Sequence, residues 1–244
     1  MLKFHTDMAK HDLLKIKKLT AHIENKQILK DVSLQIAKGE TVVIFGPNGS
    51  GKTSLLKAIL GIGGIKIKSG KILFKNKTLN NLTISKRAEL GISLMFQKPP
   101  KINGIKLSSL LNRLNSNSKY IEDVTERLSC SKFINRDLNS NLSGGETKRS
   151  ELLQLACQKS SLFLFDEPDS GVDIDNIKLI GREIKKLMSD KEKSSIIITH
   201  NGNILDYIDA NTAYVLIDGK IIHKNSPLKI WEIIKKDGYE KYKH

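Results

Sequence analysis

Gly46-Pro47-Asn48-Gly49-Ser50-Gly51-Lys52-Thr53 fills the pattern G-x-x-x-x-G-K-[ST] at every fixed position. The apolar run Val42-Val43-Ile44-Phe45 ahead of it predicts a buried strand, and Ser54 to Leu60 behind it predict a helix. A strand that feeds a glycine-rich turn into a helix N-terminus is the context in which this pattern holds phosphate. Gly46, Gly49 and Gly51 let the backbone wrap close to an anion, so that successive N–H groups point at a β-phosphate. Lys52 then reaches the β/γ oxygens and Thr53 is placed to ligate Mg²⁺. The stretch from Gly46 to Ser54 therefore implies a bound nucleoside triphosphate.

Working outward, the N-terminal side alternates with period two in Leu13-Leu14-Lys15-Ile16-Lys17 and Val32-Ser33-Leu34-Gln35-Ile36, around a turn at Glu24-Asn25-Lys26. That predicts an antiparallel β-layer on which a base would rest. On the C-terminal side, Gly70 to Phe74 predict a short strand, and Ile92 to Phe96 a strand ending on Gln97, which taken alone reads as a plain loop residue and alternatively as an amide near the metal or the attacking water. Residues 105 to 141 change character: Asn112, Asn115, Ser116, Asn117 and Ser118 read as a polar hinge, and Tyr120 to Leu128 as an amphipathic helix of a small inserted lobe. Ser143-Gly144-Gly145-Glu146 opens the next helix, with Ser143 able to cap it and first-turn N–H groups free for an anion.

Leu162-Phe163-Leu164-Phe165-Asp166-Glu167 is an apolar strand ending in two carboxylates. Unpaired buried charge is expensive, so carboxylates at such a tip point to chemistry: Asp166 for Mg²⁺ through water, Glu167 as general base. Ser195 to Thr199 form another apolar strand with His200 at its tip, within reach of a γ-phosphate. A hairpin over Ala213 to His223 and a helix over Pro227 to Lys236 close the chain.

Length and composition bound the rest. A chain of 244 residues suffices for one large or two small lobes with a full core. The net charge of +15 comes from lysines scattered through nearly every segment, with few aromatic residues between them. Such diffuse charge argues against nucleic acid as a direct partner. Cys130 and Cys157 match neither a C-x-x-C nor a zinc spacing, which predicts two incidental buried thiols. No apolar run approaches the roughly 20 residues that cross a bilayer, and Met1 to Asp7 lack a leader's apolar stretch. The expectation is a cytoplasmic chain without direct membrane insertion.

The order phosphate loop, Gln97, Leu142-Ser143-Gly144-Gly145-Glu146, Asp166-Glu167, Asp173 and His200 resembles the ATP-binding cassette (ABC) ATPases. The resemblance implies an α/β fold: a RecA-like P-loop NTPase core with an N-terminal antiparallel β-subdomain and an inserted helical subdomain. It implies one ABC ATPase domain over 1–244, with a core from 11–97 and 159–244, a helical subdomain over 98–158 and a flexible 1–10. It also implies ATP and Mg²⁺ as ligands, ATP hydrolysis through Glu167, His200 and Lys52, and Thr53, Gln97 and Asp166 at the metal. A second copy would pair head to tail, its Ser143, Gly144, Gly145 and Glu146 covering the nucleotide held by this copy's Lys52.

Within the superfamily the chain resembles SufC, the ATPase family of the SUF iron–sulfur cluster assembly system. The likeness lies in Phe96-Gln97-Lys98-Pro99-Pro100-Lys101-Ile102-Asn103-Gly104, Ser143 to Arg149 with Leu153 to Ala156, Asp169-Ser170-Gly171-Val172-Asp173-Ile174-Asp175, Thr199-His200 with Ile204 to Ile208, and Asp237-Gly238-Tyr239. It implies a SufB/SufD-like scaffold partner. Pro168 is more transporter-like, which keeps open the nucleotide-binding subunit of a membrane ABC transporter, and +15 motivates a nucleic-acid or regulatory ABC protein. Ile23 stands near the place of the aromatic residue that stacks on adenine in many transporter cassettes, leaving ATP over GTP open. The resemblance also motivates a switch in which Lys148 pairs with Glu167 in the free chain and is released by a partner.

Overall fold

A computed structural model describes residues 12–242, so the reading of residues 1–10 as a frayed end lies outside the described residues. The chain opens with β1 (Asp12–Ile23), β2 (Lys26–Ala37), β3 (Thr41–Phe45), α1 (Lys52–Leu60), β4 (Ile65–Phe74) and β5 (Lys77–Thr78). Next come α2 (Ile84–Glu89), β6 (Ile92–Met95), β7 (Ile102–Lys106), α3 (Leu107–Leu114), α4 (Ser118–Arg127) and β8 (Asp137–Leu138). Then follow α5 (Gly144–Ala156), β9 (Leu162–Asp166), α6 (Ile174–Leu187), β10 (Ser194–Ile198), β11 (Thr212–Ile217), β12 (Lys220–Asn225) and α7 (Pro227–Asp237).

A six-stranded sheet runs in the order β12-β11-β3-β10-β9-β6, parallel except for the β11–β12 hairpin. Every residue of β3, β9 and β10 is buried, as continuous apolar runs in a parallel sheet covered on both faces require. Side chains alternate across β3: Val43 and Phe45 join a core with α5, α6 and the helical insert, whereas Val42 and Ile44 join one with α1 and the antiparallel strands. In register, Ile198 pairs with both Ile44 and Asp166. The loops that follow these strands therefore open at the same end of the sheet, where doubly wound α/β folds place ligands.

The antiparallel sheet has the order β2-β1-β4-β5. β4 starts at Ile65, five residues before the strand expected from sequence, and Gly70 lies inside it. The glycine marks a bulge, not an end: its φ is +84° and an added Cβ would stand 2.2 Å from the Lys18 carbonyl oxygen. The helical insert also differs from the polar hinge read from composition. Asn112 belongs to α3, and the break is confined to the Asn115–Asn117 stretch, where Asn117 accepts the Tyr120 N–H and caps α4. Leu107, Leu111, Ile121 and Val124 pin both helices to the first core.

Candidate nucleotide site

At the tip of β3 the chain leaves the sheet through Gly46, where an added Cβ would lie 2.1 Å from the Leu216 carbonyl oxygen. Only glycine fits there. Gly51 precedes α1 with φ 104° and no side-chain cap, so the helix start is left to its own N–H groups. Gly51 lies against β2 as well, its added Cβ meeting the Ile28 carbonyl at 3.0 Å. Lys52 is buried and curls back to donate to the carbonyls of Gly46 (2.8 Å) and Pro47 (3.0 Å). Burial lowers its pKa to about 8, against the opposing pull of Glu167 and Asp166.

Two neighbouring strand tips face this loop. The Thr53 hydroxyl donates to Asp166 Oδ1 at 3.0 Å, tying α1 to β9. Burial raises the Asp166 carboxyl, the Thr53 bond opposes the shift, and Glu167 adds to it. Glu167 is buried with φ 52°, a conformation that non-glycine residues adopt at a cost of order 1–3 kcal/mol. Its carboxylate is held from two sides: Gln97 Nε2 donates to Oε2 at 2.6 Å, and His200 Nε2 meets Oε1. Next to it, Asp169 is buried and accepts the Thr199 hydroxyl at 2.6 Å, while Thr199 Oγ1 accepts the Gly202 N–H at 3.2 Å.

Ile28, Asn48, Gly49, Gly51, Lys52, Thr53, Ser54, Gln97, Glu167 and His200 thus line one cleft of about 250 Å³. The residues suit Mg²⁺. Thr53 supplies a hydroxyl beside a carboxylate oxygen, Gln97 keeps an amide oxygen after spending its N–H on Glu167, and such hard oxygen donors are what Mg²⁺ prefers. Ser143 to Glu146 stand apart from this cleft. Ser143 and Glu146 cap each other reciprocally, with Ser143 Oγ accepting the Glu146 N–H at 3.2 Å and Glu146 Oε2 accepting the Ser143 N–H at 2.9 Å. Glu146 thus spends its own N–H inside the chain, which corrects the reading that all first-turn donors are free. Gly144 abuts the loop after Glu167 and Gly145 the first turn of α6: added Cβ atoms would meet Gly171 O at 3.1 Å and the Asn176 side-chain amide at 2.6 Å.

The pairing of Lys148 with Glu167 is not the one the chain makes. Lys148 Nζ donates to the carbonyls of Gln97 (3.1 Å) and Phe96 (3.3 Å), so it anchors the Gln97 loop while Gln97 and His200 hold Glu167. Ile28 of β2 brings apolar contact to the cleft, while Ile23 pairs with Lys26 at the tip of the β1–β2 hairpin. Asp169 and Thr199 were given no role at this site from sequence. Their signals were a carboxylate inside the turn after an apolar strand and a hydroxyl next to His200.

A glycine-rich loop between a central parallel strand and a helix, faced by carboxylates at the end of β9, the next strand but one, makes the fold that of a P-loop NTPase. A family model described as "ABC transporter" matches residues 29–170, and the chain belongs to that family. It is similar to the probable ATP-dependent transporter ycf16 of Trieres chinensis, 38% identical and covering 94% of this chain and 97% of that relative. It is also similar to an uncharacterized ABC transporter ATP-binding protein, MJ0035, of Methanocaldococcus jannaschii, 35% identical over 95% of this chain and 96% of that one. Among solved structures, a nucleotide-free ATP-binding cassette from an ABC transporter superposes with a TM-score of 0.76 at 26% identity, covering 91% of this chain and 95% of that chain. The cassette MJ0796, solved as a post-hydrolysis dimer with ADP and Pi, shares the fold at 24% identity and a TM-score of 0.76, covering 88% of this chain and 98% of that chain.

Proposed function

We propose that the chain is the ATP-hydrolysing subunit of a SUF-type iron–sulfur cluster assembly complex, with a SufB/SufD-like scaffold as its partner. The observation that carries the hydrolytic reading is the double hold on Glu167 at the rim of the phosphate-loop cleft. A carboxylate so oriented takes the proton of an attacking water, while Lys52 leaves the Gly46 and Pro47 carbonyls for the phosphates. Thr53, Asp166 and Gln97 would hold Mg²⁺, which would neutralise charge at the phosphates. His200 orients Glu167 and, lining the same cleft, is the group that would contact the γ-phosphate.

Ser143, Gly144, Gly145 and Glu146 lie away from their own cleft, which supports their acting on the nucleotide of a second copy paired head to tail. Closure of that pair on ATP reshapes the scaffold. The SUF branch rests on the sequence likeness at Phe96 to Gly104, Ser143 to Arg149, Asp169 to Asp175 and Asp237 to Tyr239. Cluster ligands then belong to the scaffold, because Cys130 and Cys157 are buried thiols whose ionisation burial pushes up to about 12 and about 11.

A second reading, the nucleotide-binding subunit of a membrane ABC transporter, is favoured by Pro168 and by the names of the relatives. Among the described residues no helix is long and apolar enough to cross a membrane, so that reading needs a separate membrane subunit. Affinity capture at native abundance from soluble and membrane fractions separates the two. Recovery of a β-helical scaffold homologue that raises the ATPase rate when added back supports the SUF reading; recovery chiefly with a polytopic membrane protein sinks it.

A further inference from the structure

β3 ends at Phe45, so the Gly46 N–H is the first donor beyond the ladder. It is not left to water: it donates to the hydroxyl of Tyr239 at 3.2 Å, 193 residues further along the chain. Gly46 is also the residue whose carbonyl holds Lys52, so a single residue at the root of the phosphate loop is gripped at its N–H by the chain's end and at its C=O by the lysine. The route to this contact is built locally. α7 ends at Gly238, whose φ of +66° and ψ of −161° belong to a region reached almost only by glycine, and the turn there swings Tyr239 back toward the loop.

The same terminal element touches a second part of the site. Trp231 of α7 stacks on Phe45, the last residue of β3, with ring centroids 5.9 Å apart and planes 8° from parallel. Its indole also fills the space beside Gly202, where an added Cβ would come within 2.4 Å of the ring. Gly202 in turn donates to Thr199, the neighbour of His200. One helix and the tyrosine after it therefore seat both the root of the phosphate loop and the loop that carries His200.

We propose that Tyr239 is a positioning residue for nucleotide binding, its hydroxyl fixing the Phe45–Gly46 peptide so that the phosphate loop stays shaped for Mg-ATP. The inference rests on the ATPase reading above. It gives each member of the late Gly238-Tyr239 pair a physical role, the glycine making the turn and the tyrosine carrying the acceptor to its tip. A phenylalanine preserves the ring and its packing and removes only the acceptor.

The test compares Tyr239→Phe with Tyr242→Phe in the full chain. Tyr242 carries a buried hydroxyl without a hydrogen-bond partner among the described residues, so its deletion removes the same atom from the same terminal segment without touching Gly46. Mg-ATP affinity is measured by titration calorimetry, and steady-state hydrolysis gives kcat and KM. The expected result is affinity weaker by about 3- to 10-fold for Tyr239→Phe, appearing in KM with kcat within about twofold, and no change for Tyr242→Phe. Equal affinity in Tyr239→Phe and the unaltered chain, or a loss confined to kcat, overturns the proposal, as does an equal loss in Tyr242→Phe. If the unaltered chain binds no Mg-ATP, the ATPase reading itself has failed, a different result from an insensitive Tyr239.

Discussion

Gln97 Nε2 donates to Glu167 Oε2 at 2.6 Å while His200 meets the other carboxylate oxygen, so the base is clamped between the end of β6 and the end of β10. Replacing Glu167 by Gln keeps the shape and removes the proton acceptor. Phosphate release should fall by about 10²-fold or more, within the range typical of general-base loss. Nucleotide binding should persist, since Lys52 and Thr53 are untouched. Phosphate-release assays and ATP titrations on Glu167→Gln check both halves, and substantial residual turnover would point to another base.

Lys52 makes a pH prediction whose sign follows from its environment. Burial lowers the ammonium to about 8, so the free chain holds Lys52 largely neutral at pH 9. Bound phosphates favour the charged form, so Mg-ATP binding at pH 9 should take up about one proton at this group, and affinity should weaken from pH 7 to pH 9. For folding the sign is opposite: between about 8 and 10.5 the unfolded chain binds the extra proton, so this group's contribution to stability rises with pH. Binding calorimetry in buffers of different ionisation enthalpy reads the proton directly. An uptake that is unchanged in Lys52→Met would assign the proton elsewhere.

What could be read from the sequence divides along a physical line. The phosphate loop, the Asp166-Glu167 tip and His200 stand out because each follows an apolar run, and short-range pattern locates them. Contacts between residues far apart in sequence stayed invisible: Gly46 with Tyr239, Asp169 with Thr199, and Gln97 with Glu167 depend on how strands are ordered in the sheet. Lys148 shows why plausible charge pairing misleads. Its side chain finds two carbonyls at the Gln97 loop, and the carboxylate it was expected to meet is already held by Gln97 and His200. Gly70 misled in another way, since a bulge and a strand end look alike until the partner strand is in place.

The helical insert is fastened to the core by an Arg127–Glu183 pair, two N–H···O bonds of 2.8 Å with Glu183 only 5% exposed. Arg127→Met leaves that carboxylate buried without its fork. The expected cost is about 2 kcal/mol, in the range for hydrogen bonds to charged groups. Urea unfolding should show it as a lower midpoint, with ATPase activity per folded molecule unaffected because neither residue borders the nucleotide cleft. A midpoint identical to that of the unaltered chain would mean the pair is replaced by water at no cost.

Asp169 and Thr199 link the turn after Glu167 to the loop carrying His200. Asp169→Ala strands a buried hydroxyl, at a cost of about 1–3 kcal/mol, and loosens the backbone that aims His200 at Glu167. The expected kinetic signature is a lower kcat with little change in KM, since the phosphate loop keeps its own contacts. Steady-state kinetics at a temperature where the variant is fully folded tests this. A change confined to KM would place Asp169 with the nucleotide rather than with the base.

The position of Ser143 to Glu146 away from their own cleft yields the most direct test of a shared site. Lys52→Ala disables the phosphate loop; Gly144→Asp disables the signature, its added Cβ meeting only the Gly171 carbonyl at 3.1 Å, which the turn relieves by a shift of a few tenths of an ångström; circular dichroism of each variant checks that it is folded. Each protein alone should be inactive. Mixed in equal amounts, head-to-tail pairs form in which one of the two sites joins an intact loop to an intact signature, so about a quarter of normal activity should return if pairing is random. Such rescue cannot come from a site built within one chain. A mixture as inactive as its components, under conditions where the unaltered chain hydrolyses ATP and pairs, would return Ser143 to Glu146 to a structural role within their own subunit.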